Sequence, residues 1–185
     1  MSSRAGVYVN EVDARGRASA IGLLEMTVRT GIGYDLHPFA AGRTLVLGGV
    51  SVPHPRGLEG HSDADALTHA VIDALIGASG GGDIGQWFPD SDPQYAGANS
   101  VDLLRVVGKR LADQGWVVGN VDSTIVAQRP TLSPFLASMR NNIAGALEID
   151  FDAVNVKATS PEYVGSLGRE DAIVVLATVL IQREA

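Results

Sequence analysis

The alternation of apolar and polar positions divides the chain into strands and helices after a less patterned start. Residues 27–34 read as a strand. Leu45-Val46-Leu47 and Val50-Ser51-Val52 flank Gly48-Gly49, a strand-turn-strand signal. Residues 54–60 read as a loop. Residues 63–78 carry apolar positions at Leu67, Val71, Ala74, Leu75 and Ala78, the 3,4 spacing of a helix, with Ser62 as its expected N-cap. Residues 79–99 form a long stretch rich in Gly, Asp and Pro, and so long a loop inside a domain is usually functional. Ser100 is expected to cap a second helix, with Leu104, Val107 and Leu111 inward and Gly115 past its end. Residues 116–127 alternate as a strand, with Val121, Ser123, Ile125 and Ala127 on one face. Ser133-Pro134 opens a third helix to about Leu147. Residues 154–159 read as a strand, 160–170 as a Gly-containing loop, and the β-branched run 172–181 as a buried strand.

Two adjacent helices and two adjacent strands break regular β-α alternation. The expected class is therefore α+β, a mixed β-sheet with helices packed on one face. Residues 1–25 lack such patterning and are set apart as an N-terminal arm, leaving 26–185 as a single domain. Met26 is an alternative start. The acidic Glu11, Asp13 and Glu25 argue against a transit peptide.

Composition narrows the chemistry. The chain has 185 residues, is 45% hydrophobic and carries a formal charge of −7, which argues against nucleic acid as the main partner. No apolar run reaches the roughly 20 residues of a membrane helix, so no membrane partner and a cytoplasmic location are expected. With no cysteine, disulfides, thiolate metal sites and cysteine nucleophiles are excluded. Any metal must be held by His, Asp, Glu or backbone oxygen.

Four histidines are present, and three fall in two segments. Asp35 and His37 lie at i and i+2 of a strand end and point to the same face. Alone, Asp-x-His is more often an ordinary polar strand end. His69 changes that balance, because Asp65, His69 and Asp73 repeat at i, i+4, i+8 along the first helix. His69 is the natural third ligand for zinc or another first-row ion, with Asp73 as its expected outer partner. Three protein ligands would leave a fourth position open. His61 and Ser62 stand at a helix N-terminus, where free N–H groups attract phosphate; Ser62 could equally be only a cap. Gly82-Asp83-Ile84-Gly85 and Phe88-Pro89-Asp90-Ser91-Asp92 punctuate the long loop. Acids between glycines can accept from ribose hydroxyls, although such pairs are also common in turns. Lys157-Ala158-Thr159-Ser160-Pro161-Glu162 brings hydroxyls and an acid off a strand end, suited to phosphate and a second divalent ion or to a plain polar loop.

Taken together, Gly31-Ile32-Gly33-Tyr34-Asp35-Leu36-His37, His61-Ser62-Asp63-Ala64-Asp65 through His69, the two loop motifs and Asn155-Val156-Lys157-Ala158-Thr159 resemble the 2-C-methyl-D-erythritol 2,4-cyclodiphosphate synthase family over about residues 28–181. The resemblance implies a homotrimer with active sites between subunits. It implies a cytidine diphosphate substrate, 4-diphosphocytidyl-2-C-methyl-D-erythritol 2-phosphate, whose 2-phosphate attacks its own β-phosphorus and releases CMP. It assigns Asp35, His37 and His69 to zinc, with Asp35 and His37 also beside the substrate. It assigns His61 and Ser160 to transition-state stabilisation and Ser62 to the methylerythritol phosphate. Asp83, Ile84 and Gly85 fall to the ribose, and Phe88, Pro89, Asp90, Ser91 and Asp92 to a substrate loop. Ala127, Gln128, Arg129, Pro130, Thr131, Leu132 and Ser133 fall to the cytosine pocket. Thr159, Pro161 and Glu162 fall to the diphosphate, with Glu162 on magnesium or manganese. Ser166 and Arg169 complete the set. Ile32, Thr131, Ser160 and Ser166 stand where the family often has His, Lys, Thr and Phe. A zinc phosphoesterase and a non-catalytic trimeric binding module remain the alternatives.

Overall fold

The computed structural model describes residues 5–8, 23–89, 91–95 and 97–185. Its strands are β1 (Ala5–Tyr8), β2 (Leu23–Ala41), β3 (Leu45–Leu47), β4 (Val50–Val52), β5 (Arg56–Leu58), β6 (Val117–Val126), β7 (Val154–Thr159) and β8 (Ala172–Glu184). Its α-helices are α1 (Ala66–Ser79), α2 (Ile84–Trp87), α3 (Ser100–Asp113), α4 (Leu136–Leu147) and α5 (Gly165–Gly168). The main sheet runs β1-β2-β8-β6-β7, with β5 added on the far half of β2, while β3 and β4 form a separate hairpin. Only β6 and β7 pair in parallel among the described strands. The sheet is thus mixed, as the element order predicts.

One face of this sheet is covered. Ile173, Val175, Ala177, Val179 and Ile181 of β8 are buried, as are Val121, Ser123 and Ile125 of β6 and Val154 and Val156 of β7. Period-two burial of this kind marks a sheet with one packed face. The long helix α1 lies on β2 and β8, α3 packs on α1, and α4 packs on β7 and against α3. On the opposite face Ile32, Tyr34, Leu36 and Leu176 are exposed.

The contact of α1 with β2 is a backbone-to-backbone approach. A Cβ at Gly31 would lie 2.0 Å from the Ala74 carbonyl oxygen, and one at Gly33 1.9 Å from that of Ala70. Two glycines facing alanines bring the helix closer than side chains would allow. The next residues on the same face of β2 are Asp35 and His37, so the glycine stripe delivers them to the start of α1.

Several local expectations need correction. The N-cap of α1 is Asp65, not Ser62, and the helix begins at Ala66. Asp65 is fully buried and accepts from Thr68 N (3.0 Å), Thr68 Oγ1 (2.8 Å), Gly48 N (2.8 Å) and Gly49 N (2.7 Å). It wins the cap because it also satisfies the turn of the β3–β4 hairpin, whose Gly48 and Gly49 have positive φ. Asn99, rather than Ser100, caps α3, its side chain accepting from Val101 N at 2.9 Å. Helix α4 starts at Leu136, beyond Ser133-Pro134, with no side-chain cap. Strands β2 and β8 run longer than their apolar runs because thirteen residue pairs of one match the other, Met26 with Glu184 through Pro38 with Ala172. The stretches expected as loops contain β5, α2 and α5. Residues 5–8 of the expected arm form β1, paired with Leu23–Met26; the rest of 1–22 lies outside the described residues.

Candidate metal centre and adjoining cleft

Strand β2 and helix α1 together bring three ligand atoms to one point. His37 Nε2 lies 3.0 Å from Asp35 Oδ2, His69 Nδ1 lies 3.4 Å from the same oxygen, and the two ring nitrogens are 3.3 Å apart. Among the described residues this is the one group of three or more such side chains positioned to share a metal ion. The other nitrogen of His37, Nδ1, faces the carbonyl oxygen of Glu59. A carbonyl only accepts, so Nδ1 carries the proton and Nε2 presents a lone pair to the site. Asp35 Oδ2 is buried and finds no donor. An anionic oxygen and an imidazole nitrogen facing each other at 3.0 Å call for positive charge between them, supplied by a proton on the ring or by a bound cation. One carboxylate and two imidazoles suit zinc or another first-row divalent ion.

Burial opposes charge on Asp35, but when the His37 and His69 rings are protonated their donation and positive charge outweigh it and lower its pKa to about 2. For His37 burial again disfavours the charged form, while the Asp35 carboxylate more than offsets this and raises its pKa.

Asp73 does not serve His69. It accepts from Ile84 N at 3.2 Å and so fixes the start of α2. The outer nitrogen of His69 meets Ser100 Oγ at 2.8 Å and Ser62 Oγ at 3.1 Å instead. Ser100 stands 31 residues away at the first turn of α3, and no local spacing signals that contact. Ser62 also accepts from Ala64 N at 3.1 Å, shaping the entry to α1.

The triad opens into a cavity of about 240 Å³ lined by Asp35, His37, His61, Ser62, His69, Ile84, Gly85 and Phe88. Sequence reasoning expected all of these, but not Gly60, Tyr95 and Leu103, which complete the wall. Asp83 stands just outside as the N-cap of α2; the side chain and backbone N–H of Gln86 lower its pKa. Phe88 packs edge-on against Tyr95. Asp92 accepts from Gln94 N and turns the chain, while Pro89 and Ser91 lie outside the cavity lining. Asp90 falls outside the described residues.

A second cavity of about 240 Å³ is lined by Ala127, Gln128, Pro130, Thr131, Leu132, Ser133, Thr159 and Ser160, with Leu136 and Ala158. Nearly the whole expected base pocket is thus brought together. Arg129 points away toward Glu170 (3.9 Å). Ser160 Oγ donates to Glu162 Oε1 and accepts from Glu162 N, both at 2.9 Å. Pro161 and Glu162 follow Ser160 in the chain and lie outside the cavity lining. Arg169 pairs with Asp171 at 3.1 Å, and the Ser166 carbonyl accepts from Asp171 N, so neither lines either cavity. The two cavities share no residue. Both open at the end of the sheet where His37 faces Ile173 and Val126 faces Thr159, but on β2 and β7, three strand spacings or roughly 14 Å apart.

Fold and site define an α+β protein with one carboxylate and two imidazoles placed to share a metal ion beside a cleft. The YgbB family model matches residues 28–182, and the chain belongs to that family. A 2-C-methyl-D-erythritol 2,4-cyclodiphosphate synthase of Nostoc punctiforme is 49% identical over 157 residues, covering 85% of this chain and 98% of the relative. Among solved structures, the bifunctional IspDF of Campylobacter jejuni superimposes with a TM-score of 0.82 and 39% identity; the match covers 85% of this chain and 43% of that one. The Plasmodium falciparum IspF in complex with CDP gives 0.75 and 32%, covering 85% and 97%.

Proposed function

We propose that this chain catalyses the cyclisation named in its relatives, converting 4-diphosphocytidyl-2-C-methyl-D-erythritol 2-phosphate to the 2,4-cyclodiphosphate and CMP in isoprenoid precursor biosynthesis. An oxygen of the 2-phosphate attacks the β-phosphorus, and the bond from that phosphorus to the oxygen of the CMP phosphate breaks. The observation that carries this reading is the convergence of Asp35, His37 and His69 on one wall of the cleft that His61 and Ser62 also line.

Nucleophile and electrophile belong to one molecule, so the protein has chiefly to fold the substrate and meet its charge. Holding reacting groups in line is worth about 7–11 kcal/mol. His61 and Ser62 donate to phosphate oxygens at the cleft mouth, and the Ser160 hydroxyl is the corresponding donor at the rim of the second cavity. Ala127 to Ser133 take the cytosine, and Asp83 with Gly85 the ribose. Zinc is our choice for the triad, and Glu162 is the proposed holder of magnesium or manganese. Bound there, such ions supply charge neutralisation at the phosphates.

The same reading includes a homotrimer with sites shared between subunits and a cytoplasmic location. Ile32 and Tyr34 are 67% and 59% exposed on the open face of the sheet, beside Leu36 and Leu176. An apolar strip of that kind favours a partner surface, and the separation of the two cavities favours a neighbour completing each site. No described helix is long and apolar enough to cross a membrane.

Phosphorus NMR of the protein with this substrate and magnesium tests the reading. The expected products are CMP and a cyclic diphosphate. Orthophosphate or a linear monophosphate as the main product would establish a hydrolase instead.

A further inference from the structure

We propose that Ser100 and Asp63 are positioning residues of the metal centre, forming a chain that fixes the proton of His69 on Nε2 and leaves Nδ1 bare for the ion. This rests on reading Asp35, His37 and His69 as a cation site.

Ser100 is completely buried at the first position of α3. Its Oγ touches two groups, Asp63 Oδ1 and His69 Nε2. The Asp63 carboxylate can only accept, and its other oxygen, Oδ2, already accepts from Ser100 N at 3.0 Å. The single hydroxyl proton of Ser100 therefore goes to Asp63. Toward His69, 2.8 Å away, Ser100 Oγ is left with lone pairs alone. The proton of that contact comes from the imidazole, since two lone pairs would repel at 2.8 Å, so Nε2 bears it and Ser62 Oγ, 3.1 Å away, can share it as a second acceptor. The ring has one other nitrogen, Nδ1, and it faces Asp35 and His37 without a proton. On His37 the Glu59 carbonyl does the same job from the opposite ring position.

The chain is also held by the backbone. Asp63 N donates to Ala98 O at 3.1 Å, and Gly97 N donates to His61 O at 2.9 Å. These bonds fasten 61–63 to the segment leading into α3, so the serine and the carboxylate cannot drift apart independently. An outer carboxylate acting through a hydroxyl raises the basicity of the ligand nitrogen and holds its ring plane.

Two substitutions separate positioning from bulk folding. Ser100→Ala removes the nearer acceptor for Nε2–H and leaves only Ser62 Oγ at 3.1 Å. Asp63→Asn is more informative, because its NH2 must face either Ser100 N or the side where Ser100 Oγ and Asp65 N now donate. Turned toward the hydroxyl, it donates to Ser100 Oγ and frees that proton to point at Nε2, favouring the tautomer protonated on Nδ1. The experiment is zinc titration of the full-length chain and its variants against a competing chelator, with nitrogen-15 NMR of the histidine rings in metal-free protein. The parent should bind zinc and show His69 protonated on Nε2. Both variants should bind zinc 10–100-fold more weakly, and Asp63→Asn should move His69 toward the Nδ1–H form. Ser100→Thr, which keeps the hydroxyl, should recover most of the affinity. Should Ser100→Ala fail to fold, the parent's ring tautomer and Asp63→Asn still decide. Parent zinc binding with unchanged affinity in Asp63→Asn, or a parent His69 protonated on Nδ1, overturns the positioning chain alone. A parent that binds no zinc overturns the cation site and the positioning chain with it.

Discussion

A Cβ placed on Gly33 would stand 1.9 Å from the carbonyl oxygen of Ala70, so strand β2 and helix α1 touch through their backbones at the point where the metal ligands begin. Gly33→Ala must push α1 away from β2. Overpacking of this kind costs about 1–3 kcal/mol or more, and it should also separate His69 from Asp35 and His37. Thermal melting together with zinc stoichiometry checks both effects. A variant with parental stability and one full zinc equivalent would show that the close approach is dispensable.

Asp65 joins the hairpin turn to the helix that carries His69. Replacing it by Ala removes the α1 cap and strands the buried Gly48 N–H. A lost cap costs about 0.5–2 kcal/mol and an unsatisfied buried donor about 1–3 kcal/mol. Urea unfolding of Asp65→Ala should therefore lose roughly 3 kcal/mol. A loss under about 1 kcal/mol would mean that other groups take over those donors.

Asp122 on the open face of the sheet is paired with Lys157 and accepts from Asn155 Nδ2 at 2.8 Å. The Lys157 hydrogen bond, against slight burial and with help from Asn155, holds its carboxyl below the ordinary 3.8. A depressed folded pKa gives stability that is present above the unfolded value and is lost as pH falls through the folded one. The pair is partly exposed, so its contribution is about 0.5 kcal/mol. The stability gap between the parent and Asp122→Asn should close as pH falls from neutral to below the ordinary 3.8. A gap that widens on acidification would reverse the sign assigned here.

His61 is exposed at the mouth of the cleft and makes no contact with the triad's ring nitrogens or carboxylate. Its proposed task is donation to charge developing on phosphate. Loss of one such donor typically costs about 10²–10³ in turnover. His61→Ala should fall by that order with zinc content unchanged, measured by CMP release and elemental analysis. Loss of zinc together with activity would assign His61 to metal binding instead.

The element order, the hairpin and the ligand triad were legible because each rests on a local rule. Asp35 and His37 share a strand face by period two, and the apolar 3,4 spacing located α1 around His69. Caps were less legible. Ser62 and Asp65 both suit an N-cap, and the choice depends on Gly48 and Gly49, which reach Asp65 only through the fold. The outer partner of His69 failed for the same reason. Asp73 was near in sequence on the helix, whereas Ser100 is near only because α3 packs on α1. The short elements β5 and α5 lie below the length at which periodicity is visible.

Zinc-edge anomalous diffraction from crystals of the zinc-loaded protein soaked with CDP tests the central claim most directly. One strong peak per chain is expected, within bonding distance of Asp35 Oδ2, His37 Nε2 and His69 Nδ1, with the cytosine in an Ala127–Ser133 pocket. A fully occupied crystal with no peak at the triad, or with the ion held by other side chains, would contradict it.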